Sequence, residues 1–400
     1  MSAEAGWLLL KKTVGRERQG RQQYVIDWCP KAPAHIAIQD MVLARPIPDG
    51  QERLDFFSTY VGRPELNHER CGKCRPFNRI RRKPDLRTAQ EETIMSATTT
   101  APLDPDIAKM ECQWRESGIP GLYVGRNGPV SRERARNVRA LLYPKPKLPT
   151  GKLDRFTIPG PNGSITVEAV RPLEGPPIGT LVYYHGGGYV IGDIDSHQAH
   201  AIRFANRSRV VVLNVDYRLA PEHPFPQGVN DAFAAAQWAS ENLGKLGGAE
   251  KPLALGGDSA GGNFTAVTAI RARDAGMKIA AQVLIYGALG AGGGGGGGNA
   301  DVAYMYFGPD LGAEAKKTIE ASPILADLKG VAPAIIGVGS HDFLYEDSVA
   351  YAAKLREAGV PLIYREYSNL NHGFFSYTAI SPPCAAASDQ LCDDLRSLLD

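Results

Sequence analysis

The sequence predicts an α/β fold, a mostly parallel eight-stranded sheet flanked by helices, and three observations lead there. From about residue 152 short β-branched runs alternate with longer helical patterns, the order expected when crossover helices cover a sheet. Eight candidate strands bracket those helices. The composition, 43% hydrophobic and 22% charged over 400 residues, supplies enough apolar material for one large core or two ordinary ones.

The strands begin with DRFTI (154–158) and SITVEAV (164–170), set around the turn signal GPNG. GTLVYYH (179–185), RVVVLNVDY (209–217) and PLALGGD (252–258) follow, then AQVLIYG (281–287), PAIIGVGS (333–340) and PLIYREY (361–367). Helical patterns occupy residues 196–207, 227–242, 260–274, 343–358 and 386–399. Among them NDAFAAAQWASENL has the strongest alanine-rich propensity. Two further helical patterns, DPDIAKMECQWRES and SRERARNVRALLY, precede the sheet within residues 102–143 and can cover one end of it. The run GAGGGGGGGN (Gly290 to Asn299) has no side chains to pack and reads as a flexible loop.

Charge is unevenly spread. The whole chain carries 45 Lys and Arg against 43 Asp and Glu, whereas residues 1–94 hold 17 and 12, a net +5. That segment has basic clusters, scattered prolines and no sustained period of 3.6 or 2, and MSATTTAPLDPDIAKM from Met95 looks like a fresh protein start. The expected organisation is therefore a basic, poorly ordered N-terminal extension (1–94), a helical segment (95–150) and a sheet-bearing domain (151–400). A net charge of +2 argues against nucleic acid or an anionic membrane as the main partner. No apolar stretch approaches a membrane span, and GWLLLKK is too short for a signal-peptide core. Six cysteines (Cys29, Cys71, Cys74, Cys112, Cys384 and Cys392) are too sparse for a disulfide framework, so a cytoplasmic protein with reduced thiols is expected.

The chemistry is concentrated in a few motifs. GGDSAGG fits G-x-S-x-G with Ser259 at its centre, directly after an apolar strand and before a helix. A strained turn there projects the hydroxyl, and the helix N-terminus favours developing negative charge. Upstream, YYHGGGYVIG places Gly186, Gly187 and Gly188 after another strand, and successive glycines leave N–H groups free to bind an oxyanion. A serine nucleophile needs a base and an orienting acid, which follow later in the chain in the order Asp/Glu, His. His372, in the loop after the last strand, is the only histidine beyond His341. Asp342 ends the seventh strand, whereas its rivals Glu346 and Asp347 fall within the next predicted helix, and His341 reads as a bystander.

With HGGGYVIG, DYRLAPEHPFP, GDSAGG and the late Asp342/His372 pair in this order, the chain resembles the hormone-sensitive-lipase-like branch of the α/β-hydrolases, also called bacterial family IV esterases. The resemblance covers roughly residues 100–400. It implies the α/β-hydrolase fold, a small helical cap built partly from residues 102–143, and Gly187, Gly188 and Ala260 as oxyanion-hole donors. It also implies that DYRLAPEHPFP is a structural turn beside the site. Two departures stand out: where the family often has D-P-L this chain has Asp342, Phe343 and Leu344, and the glycine run replaces part of a cap segment.

Other features read as structural. His68, Cys71 and Cys74 lack a nearby fourth zinc ligand. The basic run Arg79 to Arg87 has no aromatic interleaving and no fold signal for nucleic acid. His185 reads as a hydrogen-bonding strut, and His197 and His200 as facing solvent or packing at the mouth rather than binding metal. The function expected is serine carboxylesterase action on short-chain acyl esters through an acyl-enzyme, with no metal or organic cofactor, Ser259, Asp342 and His372 being the catalytic residues. A related amide or acyl hydrolase, or a non-catalytic binding protein on the same scaffold, is the alternative. The partner is then a small-molecule ester, and the sequence is compatible with a homo-oligomer.

Overall fold

The computed structural model describes residues 7–11, 25–29, 101–247, 251–290, 299–315 and 317–400. The chain divides into two units, residues 1–92 and 93–400. In the first, β1 (Trp7–Lys11) and β2 (Val25–Cys29) pair antiparallel, with Trp7 opposite Cys29 and Lys11 opposite Val25. The predicted zinc-spaced residues His68 to Cys74, the basic run Arg79 to Arg87 and the glycine stretch 291–298 lie outside the described residues.

The second unit opens with α1 (Pro105–Glu116) and α2 (Gly128–Leu142), each with proline in its first turn. Asp104 caps α1 by accepting from the amides of Asp106 and Ile107, and Asn127 caps α2 by accepting from Val130. The sheet follows: β3 (Leu153–Ile158), β4 (Ile165–Val170), β5 (Gly179–Tyr184), β6 (Val210–Asp216), β7 (Leu253–Asp258), β8 (Ala281–Ile285), β9 (Ala334–His341) and β10 (Leu362–Asn371). Their order across the sheet is β10-β9-β8-β7-β5-β6-β4-β3. Only β4 runs antiparallel to its neighbours, the other pairings being parallel. The eight predicted strands and the mostly parallel sheet are thus observed.

The central strands are buried along their whole length, as parallel strands covered on both faces must be. Alternate residues feed opposite faces: Val182 and Tyr184 of β5 join a core with α4 (Gln227–Glu241) and α5 (Ala260–Asp274). Leu181 and Tyr183 join the core containing Phe204 of α3 (Ile194–Ser208) and Leu391 of α8 (Pro382–Leu399). A third cluster packs α7 (Tyr345–Glu357) through Tyr351 and Leu355 onto Ile336 of β9.

Two predicted helices are longer than expected because of their caps. Asp193 and Ser196 form a reciprocal capping box that starts α3 at Ile194. Ser381 caps α8, whose first residues are prolines tolerated where an amide has no helical partner. One helix is unpredicted: α6 (Ala300–Ala315), started by Asn299, which accepts from the amides of Asp301 and Val302. Gly308, at φ +77°, and Pro309 break its helical path, which hides it from a periodicity search.

Helix α8 sits so close under β9 that a Cβ on Gly337 would come within 2.7 Å of the Leu391 side chain. Leu391 is fully buried. Leu391→Ala is expected to cost about 2–5 kcal/mol of stability, measured by urea unfolding followed by circular dichroism. A loss below about 1 kcal/mol would mean that α8 and β9 do not depend on this contact.

Candidate active site

Four sequence segments reach the carboxyl edge of the sheet, and each brings one part of the site. At the end of β7 the backbone turns so sharply that Ser259 adopts φ 54°, ψ −116°, a left-handed conformation strained for a residue with a side chain. The strain is held from both sides: the Ser259 amide donates to Ile285 O at 2.9 Å, and the Ala288 amide donates to Ser259 O at 3.1 Å. α5 starts at the next residue, and a Cβ on Gly261 would lie 1.9 Å from Tyr184 O, so only glycine lets the helix approach β5 this closely.

β5 delivers the glycine loop. Gly187 has φ +129°, and a Cβ there would stand 2.0 Å from Ile191 O, which reserves the position for glycine. Among the described residues, the amides of Gly187, Gly188 and Ala260 have no hydrogen-bond acceptor. The Gly186 amide instead donates to Asp258 Oδ1 at 3.0 Å, and the Tyr183 hydroxyl donates to the same oxygen at 2.8 Å. The residue preceding Ser259 therefore ties the turn at Ser259 to the start of the glycine loop.

Asp342 follows β9 directly, its carboxylate fully buried, and Oδ1 accepts from the Leu344 amide at 2.7 Å. His372 follows β10, with Nδ1 at 2.9 Å from both Asp342 oxygens and Nε2 at 2.9 Å from Ser259 Oγ. The three predicted residues thus stand in one hydrogen-bonded line. The rival Asp347 has other partners, accepting from the amides of Leu289 and Gly290, and the bystander His341 has its Nε2 2.8 Å from Ala101 O. Two aromatic rings flank the His372 imidazole, Tyr286 at 4.8 Å and Phe343 at 4.3 Å between centroids.

The remaining histidines surround Asp258. Burial drives the pKa of His185 down to about 3, and its ring stacks on Tyr217 at 4.2 Å while Nδ1 lies 2.9 Å from Gly186 O. A neutral, packed ring of this kind fits the predicted strut. His197 and His200 do not face solvent: both are buried, because their shared face of α3 turns inward, onto Asp258. Burial also brings the pKa of His200 down to about 3. Burial alone would raise the pKa of Asp258, but the charge and hydrogen bond of His197, with His200 and the Tyr183 hydroxyl, hold it well below the usual carboxylate range. His197, His200 and Asp258 bring ligand atoms within 4.8 Å of one another. The Asp258 carboxylate is already hydrogen-bonded, however, and no fourth His, Cys, Asp or Glu ligand joins the group among the described residues.

Sequence reasoning missed several neighbours. Tyr123, between α1 and α2, and Val302 of α6 stand against Gly188, where a Cβ would meet them at 2.4 and 3.2 Å. Tyr306 of α6 stacks on Tyr189 at 3.8 Å and 5°, bracing the segment after the glycines. No local periodicity marks these contacts. The Asp258 clamp had one signal, an acid inside the GDSAGG motif itself.

Residues 181–376 match the family described as the α/β-hydrolase fold. A carboxylic ester hydrolase of Mycobacterium tuberculosis, LipN, is 35% identical over 316 residues, covering 74% of this chain and 83% of that protein. The arylesterase of Saccharolobus solfataricus is 31% identical, covering 68% and 92%. A solved esterase from Pyrobaculum calidifontis superposes with a TM-score of 0.66 at 34% identity, over 74% of this chain and 99% of that one.

The buried histidines carry a pH signature. With His185 and His200 held near 3, the unfolded chain binds more protons than the folded one below the ordinary histidine pKa of about 6.5. Stability should then fall as pH drops from about 6.5 toward 3, by up to roughly 1.4 kcal/mol per pH unit for each ring. Asp258 adds in the same direction only further down: its depressed pKa contributes stability above the ordinary carboxylate value that is lost as pH falls below it. Thermal melts from pH 7 to pH 4 are expected to show this decline, and His200→Asn to flatten it by one ring's share. A melting temperature constant over that range would contradict neutral burial of the rings.

Proposed function

The chain belongs to the α/β-hydrolase family, in its hormone-sensitive-lipase-like branch, and from that premise we propose that it is a serine carboxylesterase hydrolysing short-chain acyl esters. The observation that carries the reading is the unbroken line from Ser259 Oγ through His372 to Asp342, with each link at 2.9 Å. Ester rather than amide chemistry is supported by relatives named carboxylic ester hydrolase, carboxylesterase and arylesterase.

In this reading His372 Nε2 takes the Ser259 hydroxyl proton as Oγ attacks the ester carbonyl. The carbonyl oxygen becomes negative in the tetrahedral intermediate, and the unpaired amides of Gly187, Gly188 and Ala260 donate to it, helped by the N-terminal end of α5. Asp342 accepts the Nδ1 proton's hydrogen bond, fixes the tautomer and stabilises the imidazolium without becoming protonated. The imidazolium hands its proton to the departing alcohol, and water then deacylates Ser259 through the same histidine. Tyr123 and Val302 stand close beside Gly188, one of the proposed oxyanion donors.

The working unit in this proposal comprises residues 95–400, with 95–150 as part of the cap. Bonds between the α1 region and the segment carrying His372 support that role: the Asp104 amide donates to Asn369 O and Asn371 Nδ2 donates to Glu111 Oε1. Among the described residues no helix is long and apolar enough to cross a membrane. Sparse cysteines, two of them buried thiols, support a cytoplasmic setting, and a net charge of only +2 supports a small-molecule substrate over nucleic acid or an anionic membrane as partner.

Hydrolysis of p-nitrophenyl esters from acetate to palmitate tests the reading. Turnover is expected on the short esters and to fall with chain length. Ser259→Ala should abolish it, and Asp342→Asn should lower kcat about 10⁴-fold with little change in KM. Equal background from the unmodified protein and Ser259→Ala, both shown to be folded, would sink the esterase reading.

A further inference from the structure

The three glycines after His185 are each reserved by a different neighbour. A Cβ on Gly186 would meet Asp258 Oδ2 at 2.4 Å, and one on Gly187 would meet Ile191 O at 2.0 Å, both within loops of the sheet itself. Gly188 differs. Its φ of +57° lies in the left-handed well that other residues can enter at some cost, so space rather than backbone conformation is the stricter demand. A Cβ there would meet Tyr123 Oη at 2.4 Å, Val302 Cγ1 at 3.2 Å and Tyr123 Cζ at 3.3 Å. Neither residue belongs to the sheet: Tyr123 lies between α1 and α2, and Val302 on α6. Arg126, just after Tyr123 in the chain, joins the two segments. Its guanidinium stands 3.6 Å from the centroid of the Tyr304 ring, and its Nε 3.3 Å from Asp301 Oδ1, on either side of Val302 in the sequence.

The peptide unit between Gly187 and Gly188 is planar, so its N–H points away from its C=O. The carbonyl end is tied down, because Gly187 O accepts from the amides of Val190 at 3.1 Å and Ile191 at 3.0 Å. A swing of the plane about that anchor would re-aim the N–H, and the contact that opposes it is made at the next Cα, by Tyr123 and Val302. Resting on the esterase reading above, in which the Gly188 amide donates to the oxyanion, we propose that Tyr123 is a positioning residue. Its hydroxyl end, pressed against Gly188, fixes the direction of that amide. The oxyanion exists only in the transition state and the intermediate beside it, so an amide held in place in advance acts on kcat and leaves ground-state binding nearly untouched.

Steady-state hydrolysis of p-nitrophenyl acetate tests the role from both sides of the contact. Tyr123→Ala is expected to lower kcat about ten- to a hundredfold while KM changes by less than about threefold. The converse split, with KM raised and kcat kept, would make Tyr123 a wall of the substrate site and overturn the proposal, as would unchanged kinetics. Gly188→Ala sets a methyl group 2.4 Å from the Tyr123 hydroxyl oxygen and should lower kcat by a similar factor. Adding Tyr123→Phe to it removes that oxygen and leaves the ring carbon at 3.3 Å, so the methyl takes the hydroxyl's place against the ring. The double variant should then recover about fivefold or more of the lost kcat. A double variant no faster than Gly188→Ala overturns the proposal. If either Tyr123→Ala or Gly188→Ala fails to fold, the other arm decides. If the unmodified protein does not exceed the Ser259→Ala background, the esterase reading itself has failed. If it turns the ester over while the split or the recovery is missing, only the positioning role has.

Discussion

An ionised carboxylate without access to solvent is costly unless its oxygens are hydrogen-bonded, and Asp258 meets that condition by reaching out of its own strand. Its Oδ1 accepts from a backbone amide of the glycine loop and from a tyrosine hydroxyl of β5, while His197 stands 3.7 Å from Oδ2. Hydrogen bonds to a charged acceptor are roughly twice as strong as neutral ones, and the low dielectric of the interior strengthens them further. Removing any one partner would leave charge or dipole buried without compensation, so the loop, the turn at Ser259 and α3 are held as one body. The strained φ of Ser259 persists because its surroundings over-determine it.

The topology makes that clamp available. β5 and β7 are not consecutive in the chain but are neighbours in the sheet, with Tyr184 opposite Gly257. Parallel strands present their carboxyl ends on one edge, where the loops that leave them converge, and open α/β sheets use that edge for ligands. β9 and β10 emerge on the same edge, and the loops after them bring Asp342 and His372 together although thirty positions separate them. The sheet supplies the spacing, and the polar groups have only to fill it.

How much of this was legible in the sequence follows from which forces are local. Buried parallel strands show as apolar runs, which made the central strands legible, while the antiparallel pair β3–β4 was legible from the turn signal between two β-branched runs. Ser259 and His372 stood out because a nucleophile turn needs small residues around it, and because one histidine remained after the last acid candidates. α6 escaped because Gly308 and Pro309 interrupt its period, and it follows a run of glycines with no pattern of its own. The inward orientation of His197 and His200 escaped for a different reason. Their three-residue spacing says that they share a helix face, not which way that face looks, and the answer lies in a carboxylate some sixty positions later. Phe343 and Tyr286 sit beside the imidazole through tertiary packing that leaves no trace in local periodicity.

The loop that carries His372 is also tied to the helices that precede the sheet. Asn371, immediately before His372, donates to Glu111 on α1, and the N-cap residue of that helix donates its own amide to Asn369 O. The opposite end of the same helical segment reaches the glycine loop through Tyr123 and the turn after it through Arg132, whose guanidinium donates to Val190 O at 3.0 Å and pairs with Glu222. A single segment of the chain therefore grips both sides of the site, the loop of His372 and the glycine loop. Any displacement of α1 and α2 changes the two together, so residues 101–143 act as part of the frame that holds both loops. The rigidity that the reaction needs comes from this double grip on top of the buried charge below.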